Sequence, residues 1–431
     1  MSLGYRPGFW RFTVQRRFAA GTLRGVRATA GLTGAALLLA TACSGGGGGT
    51  KGDSGVTVGG TEDAAAPHVT ITPGDGNTKA RPDQGVVIKA ANGTLDQVSV
   101  LAGQRAVTGE MSADRTTWKS RTLVPGVAYV VSVTAKNAQK STTATSKFRT
   151  LRAANPLSVI DVTPMAGETV GVGMPITVTF NRTVTDRKAV ERALTIKSTK
   201  PAVGAWYWVS GQQVIFRTKN GQYWQPNQQV ALSAKLAGVK AGKDVYGTRD
   251  VNRKFKIGDS HISTISTKTK KMVVKVNGRV RKTTGISAGK GGRVVNGVDT
   301  YLTTNGVHLT MSKHRVEIMT SEWMGVDPED KENGGYKEVI PFAVRISSSG
   351  EYVHAMGSRM WAMGQVNASH GCVNSPPVFA QWFYNLSYRG DVVVVTGSKR
   401  QLAWNNGWSY YQMPWTQWVR GSALKQEVST G

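Results

Sequence analysis

Cysteine is almost missing from this chain. Its 431 residues contain Cys43 and Cys372 and no others. There are no paired Cys-x-x-Cys motifs and no His-Glu-x-x-His helix, which removes the common zinc frameworks. Acids are scarce as well. Lys and Arg number 54 against 26 Asp and Glu, a formal charge of +28, so the chain is drawn to polyanions. The basic residues are dispersed after the N-terminus, and no nucleic-acid module is legible. An anionic cell wall or lipid surface therefore ranks above nucleic acid as a partner. Long apolar runs are lacking too; the one near the N-terminus, 28–42, is too short for a stable transmembrane helix. The histidines are His68, His261, His308, His314, His354 and His370, and none follows Cys372. That order excludes a papain-like layout, whose histidine lies well downstream of the cysteine.

What is present points to a mainly β fold. Val, Thr and Tyr recur in short alternating runs, and long helical periodicity is scarce. The length calls for about three domains. From 67 to 152, short strands such as 68–72, 85–89 and 129–134 alternate with turn signals at Pro73-Gly74-Asp75-Gly76 and Asn92-Gly93, the pattern of a small β-sandwich. A second such unit covers 153–258. Pro125-Gly126 ahead of a long strand and Lys147-Phe148-Arg149 at its close are echoed by Pro226-Asn227 and Lys254-Phe255-Lys256. Two tandem sandwiches follow from this, read as a spacer that lifts the last domain outward. A third domain, 261–397, opens on a hairpin turned at Asn277-Gly278. It contains a long polar loop, 321–336, and a helix at 376–388 with Phe379, Trp382, Phe383 and Leu386 on one face. The tail, 398–431, carries Trp404, Trp408, Tyr410, Tyr411, Trp415 and Trp418. Such rings stack on sugars or seal a domain edge, and sealing is the expectation here.

The N-terminus reads as an export signal, 1–43. Arg6, Arg11, Arg16, Arg17, Arg24 and Arg27 precede the apolar run, which ends Leu39-Ala40-Thr41-Ala42-Cys43. Small residues before a cysteine resemble a bacterial lipobox, with Ala40 where leucine is usual. Cys43 is then the acylated first residue of the mature chain, and 44–66, opening on Ser44 and five glycines, is a flexible tether. The alternative is ordinary cleavage near Ala42. An exported protein held on the outer face of the cytoplasmic membrane is the expectation.

Cys372 stands in Ser369-His370-Gly371-Cys372-Val373-Asn374. A thiol is mostly protonated near neutrality, so a nucleophilic cysteine needs a base. That base lies upstream: His370 is two residues away, and His354 ends an expected strand. His308 and His314 read as structural. His354, His370 and Cys372 are three potential zinc donors with no fourth in evidence, so no metal and no cofactor are expected.

His354 followed by Ser369-His370-Gly371-Cys372-Val373-Asn374 resembles the signature of the L,D-transpeptidases of bacterial cell-wall synthesis. The resemblance covers roughly 262–419, and the upstream sandwiches and lipid-type signal resemble the actinobacterial members with immunoglobulin-like domains. It implies two immunoglobulin-like sandwiches followed by a β-rich catalytic domain with one short helix after the cysteine motif. It implies Cys372 as nucleophile and His354 as general base oriented by the Ala355 carbonyl. The Gly371 and Cys372 amides would serve as oxyanion donors, with His370 shaping the pocket. Tyr336, Met319, Ser369 and Asn374 would bind substrate or hold the cysteine loop. The implied reaction is ping-pong acyl transfer between peptidoglycan stem peptides, through a thioester, giving three-to-three crosslinks, with loop 321–336 as a lid against water. Rival readings with the same cysteine are an L,D-carboxypeptidase, a crosslink hydrolase, or an enzyme attaching protein to the wall. A non-catalytic wall-binding lipoprotein is a further one.

Overall fold

A computed structural model describes residues 65–333 and 335–431. The export signal, Cys43 and most of the tether lie outside the described residues.

The first sandwich is built from strands of strict period two. In Ala128–Lys136, Tyr129, Val131, Val133 and Ala135 are buried while their neighbours face out. This strand sits centrally in a four-stranded sheet with Arg105–Ala106, Thr94–Ala102 and Ser141–Arg149. The facing sheet holds His68–Thr72, Val87–Ala91, Thr117–Ser120 and Gly109–Met111. Ile88, Leu95, Trp118 and Phe148 fill the space between.

The second sandwich packs a four-stranded sheet, with Gln228–Ala234 and Val251–Ile257 at its centre, against a five-stranded one. The fifth strand of the latter is Val428–Ser429, from the far end of the chain, paired with Val203–Trp208. Ahead of it, the short helix Trp415–Arg420 buries Trp418 completely, and the indole Nε1 donates to Ala205 O at 2.9 Å. The aromatic tail therefore seals a sandwich edge, as expected, but the edge belongs to the second sandwich rather than to the domain that precedes the tail in sequence. This helix and Arg187–Arg192 add to the single short helix expected.

Two larger sheets and a small hairpin, Val294–Val295 with Val298–Asp299, form the third domain. One runs Arg279–Gly285, Lys271–Val276, His261–Ser266, Val392–Thr396, Gly306–Leu309. Its first hairpin turns at Asn277 and Gly278, both with positive φ (49° and 80°), the backbone that the Asn-Gly pair favours. The other sheet runs Ser312–Thr320, Lys337–Arg345, Tyr352–Ala355, Val373–Ser375. Helix Pro377–Leu386 starts at a proline, which loses no hydrogen bond there. It buries Phe379 and Phe383 against Val344, Val353, Val373 and Val393. It is shorter than the expected 376–388 because Ser387 turns extended, its N–H donating to Phe383 O.

The core of the second sandwich does not stop at the domain edge. Val172, Met174, Trp206 and Phe216 share one apolar cluster with Leu309 and Val392 of the catalytic sheet. A Cβ at Gly171 would meet Asp391 N at 2.3 Å, so the two backbones touch where only glycine fits. An independent spacer would have closed its own core.

Candidate active site

The parallel pairing of Tyr352–Ala355 with Val373–Ser375 creates the site. It sets His354 opposite Asn374 and brings Cys372, one residue before the second strand, beside the first. Both residues line a cavity of about 470 Å³, together with Met319, Tyr336, Ser369, His370, Gly371 and Asn374. Every site residue expected within the described chain thus meets at one cavity.

His354 is buried, and its Nδ1 lies 2.8 Å from Ala355 O. That bond makes Nδ1 the donor and leaves Nε2 as the free acceptor. Burial, with Arg359 adding to it, pushes the imidazole down to about 4 against the smaller opposing effect of the Ala355 bond. Burial likewise pushes the Cys372 thiol up to about 12; Glu351 and Glu338 add to the rise, while the Tyr352 amide and Arg345 oppose it. Both shifts favour a neutral thiol beside a neutral imidazole. The thiol donates to Gly350 O, at 3.6 Å, and not to His354. Burial thus disfavours the charged form of both partners, which is why the cysteine needs a base within the cavity.

The cysteine loop is held from within. Ser369 Oγ donates to Cys372 O at 2.5 Å and accepts from Gly371 N at 3.2 Å. The Gly371 amide is thus engaged, and its expected oxyanion role requires that bond to yield. Gly371 has φ 132°, a conformation that disfavours any side chain. His370 lies between two rings, stacked on Tyr336 at 5.0 Å and edge-on to Tyr301 at 4.7 Å. Burial, then Lys290, Arg359 and Arg293, push it down to about 4. Asn374 is fully buried on the cavity wall, with Oδ1 and Nδ2 both unpartnered. Such a group costs roughly 1–3 kcal/mol until something pairs with it.

The base of the long loop is fastened by Ser321, whose N–H donates to Tyr336 O and whose Oγ accepts from Tyr336 N, both at 3.0 Å. The loop is not wholly irregular: Ser321–Met324 forms a 3-10 turn. Sequence reasoning missed Glu351, Thr303 and Thr304, all buried around the site. In sequence, Ser349-Gly350-Glu351 and Thr303-Thr304-Asn305-Gly306 read as ordinary polar turns. The one signal was a carboxylate directly ahead of the apolar run Tyr352-Val353. Of the remaining histidines, His261 pairs with Asp391 at 3.0 Å, His308 is buried beside Glu351, and His314 is exposed. Among the described residues no cluster of three or more His, Cys, Asp or Glu is placed to hold a metal ion.

Residues 260–395 match the L,D-transpeptidase catalytic domain, and residues 77–240 match a bacterial Ig domain. L,D-transpeptidase 2 of Mycobacterium tuberculosis is 34% identical over 364 residues, covering 84% of this chain and 86% of that protein. L,D-transpeptidase 5 of the same species is 28% identical over 374 residues, covering 83% and 78%. A solved LD transpeptidase in complex with imipenem is 32% identical, with a TM-score of 0.46, and covers 56% of this chain and 99% of that one. Likeness across 84% of the chain, and not over the cysteine motif alone, makes this protein a member of the L,D-transpeptidase family.

Proposed function

We propose that this protein forms three-to-three crosslinks between peptidoglycan stem peptides through a thioester on Cys372. The observation that carries the reading is the shared cavity of Cys372 and His354, with the imidazole Nε2 left as a free acceptor. The Cys372 Sγ–H turns from Gly350 O toward Nε2, and the neutral imidazole takes the proton as sulfur attacks the carbonyl of the donor's third residue. Proton and bond move together because a separated thiolate is costly here. The Cys372 amide receives the developing oxyanion, with Gly371 joining once Ser369 releases it. The imidazolium returns its proton to the departing D-alanine. The side-chain amine of a second stem then attacks the thioester and frees the sulfur. Asn374 binds substrate through its unpartnered amide, and Met319 and Tyr336 line the donor side.

Purified chain given a synthetic stem tetrapeptide should yield crosslinked dimers by mass spectrometry; tripeptide alone would replace transfer with hydrolysis. Imipenem should add its mass to the wild type and not to Cys372→Ala.

The same reading holds the chain on the outer face of the cytoplasmic membrane through acylated Cys43. Small residues at 40–42 and the glycines that follow support this, and the charge of +28 favours contact with anionic wall polymers. Labelled palmitate should enter the wild type and not Cys43→Ala.

A further inference from the structure

A buried carboxylate beside the site has no part in the steps above. Glu351 is 3% exposed and precedes Tyr352. Its Oε1 accepts from Thr304 N at 2.6 Å and its Oε2 from Thr304 Oγ1 at 2.7 Å. His308 Nε2 stands 2.8 Å from Thr304 Oγ1 and 3.6 Å from Glu351 Oε2. Burial alone would raise this carboxyl, but His308 and Thr304 outweigh it and hold it below the usual range. The residues on either side of Glu351 are the ones that touch the thiol: Gly350 O accepts from Sγ, and the Tyr352 amide points at it. The preceding residue, Thr303, donates through Oγ1 to Gly371 O at 2.7 Å, and its Oγ1 accepts from Gly289 N at 2.9 Å. One buried dipeptide therefore grips both walls of the site, the 350–352 turn through Thr304 and the cysteine loop through Thr303.

We infer that Glu351, anchored by Thr304 and His308, is a positioning residue that sets the Gly350–Tyr352 backbone against the Cys372 sulfur. It lines the cavity wall beside Gly350 and Tyr352, and it acts on the sulfur through that backbone. The inference rests on Cys372 being the nucleophile, but it concerns the thiol itself and is read without any wall substrate. Glu351, Glu338, Arg345 and Tyr352 act on the sulfur directly, and Glu317, Tyr336, His354, Arg359, His370 and Arg400 are the other charged or titratable groups around the same cavity. Removing the carboxylate charge while keeping its shape, and removing the anchor while keeping the charge, should move the thiol in opposite senses.

The test is the pH profile of Cys372 alkylation by iodoacetamide in the full chain, with imipenem acylation followed in parallel. Glu351→Gln should shift the alkylation midpoint to lower pH, and Thr304→Val to higher pH. Both should slow imipenem acylation about tenfold at neutral pH, and Thr304→Ser should restore the wild-type rate. Circular dichroism at each pH verifies folding, and should Glu351→Gln not fold, the Thr304→Val and Thr304→Ser pair decides the matter. Midpoints and rates within twofold of wild type in folded variants would overturn the inference, as would shifts in one common direction. Normal alkylation shifts without any crosslinking would leave this inference standing and defeat the proposed function instead.

Discussion

At the scale of single residues, the site works by keeping charge out until it is needed. His354 ionises near 6.5 in an unfolded chain and near 4 when folded, so the unfolded state binds more protons between those values. Its neutral burial contributes stability above pH 6.5, and that contribution is lost as pH falls toward 4, a term on the order of 3 kcal/mol. Urea midpoints should fall between pH 7 and pH 5, and His354→Phe should flatten part of that slope. The same depression keeps the base neutral in mild acid, so imipenem acylation should show no inflection near 6.5. His354→Ala should slow that acylation by roughly 10²–10⁴, the usual worth of a general base, measured by the rate of adduct formation. That Cys372 and His354 belong to one site was legible in the sequence, because residue type and order restrict the choice, and the structure places both at one cavity. The depressed basicity of His354 was not, since it depends on burial that only the packed sheet creates.

At the scale of elements, the loop 321–336 is hinged on a single buried serine. Ser321 is 0% exposed and bonds to Tyr336 in both directions, and its Oγ also donates to Val326 O. Ser321→Ala removes the Oγ bonds to the Tyr336 amide and to Val326 O and so loosens the base of the loop. On the proposed function, with the loop as a lid against water, the ratio of tripeptide to crosslinked dimer should rise severalfold in that variant, read by mass spectrometry of the products. The loop itself was visible as a polar, glycine-bearing stretch between alternating strands. Its fastening was not, because Ser321 and Tyr336 meet only when strands Ser312–Thr320 and Lys337–Arg345 pair.

At the scale of the whole chain, the tail and the second sandwich form one structure with the catalytic sheet. Arg217 is completely buried, and among the described residues no carboxylate pairs with it. Its guanidinium instead lies over the rings of Tyr411, Trp415 and Trp418 and donates to Met413 O. Burial pushes it down to about 10, still charged at neutrality. Trp418→Ala should lower the melting temperature, by about 3–5 kcal/mol of stability, because it removes both the ring stack and the plug of the sheet edge. The continuous core predicts more. A fragment beginning at residue 153 should fold, whereas one beginning at residue 260 leaves Leu309 and Val392 without their partners. Limited proteolysis of the two fragments should show protection in the first and rapid digestion in the second.

The sequence by itself determined the β character, the Asn-Gly hairpin, the helix after the motif and the candidate pair Cys372 and His354. Each of these follows from local periodicity, backbone preference or side-chain chemistry. Only the tertiary structure decided that burial disfavours charge on both His354 and Cys372, that Glu351 and the Thr303-Thr304 pair bond to each other and to the cysteine loop, and that the tail closes a sandwich encoded some two hundred positions earlier, about the separation of Trp418 from Ala205. Those features arise from contacts between segments far apart in the chain, where burial and not residue type sets the energy.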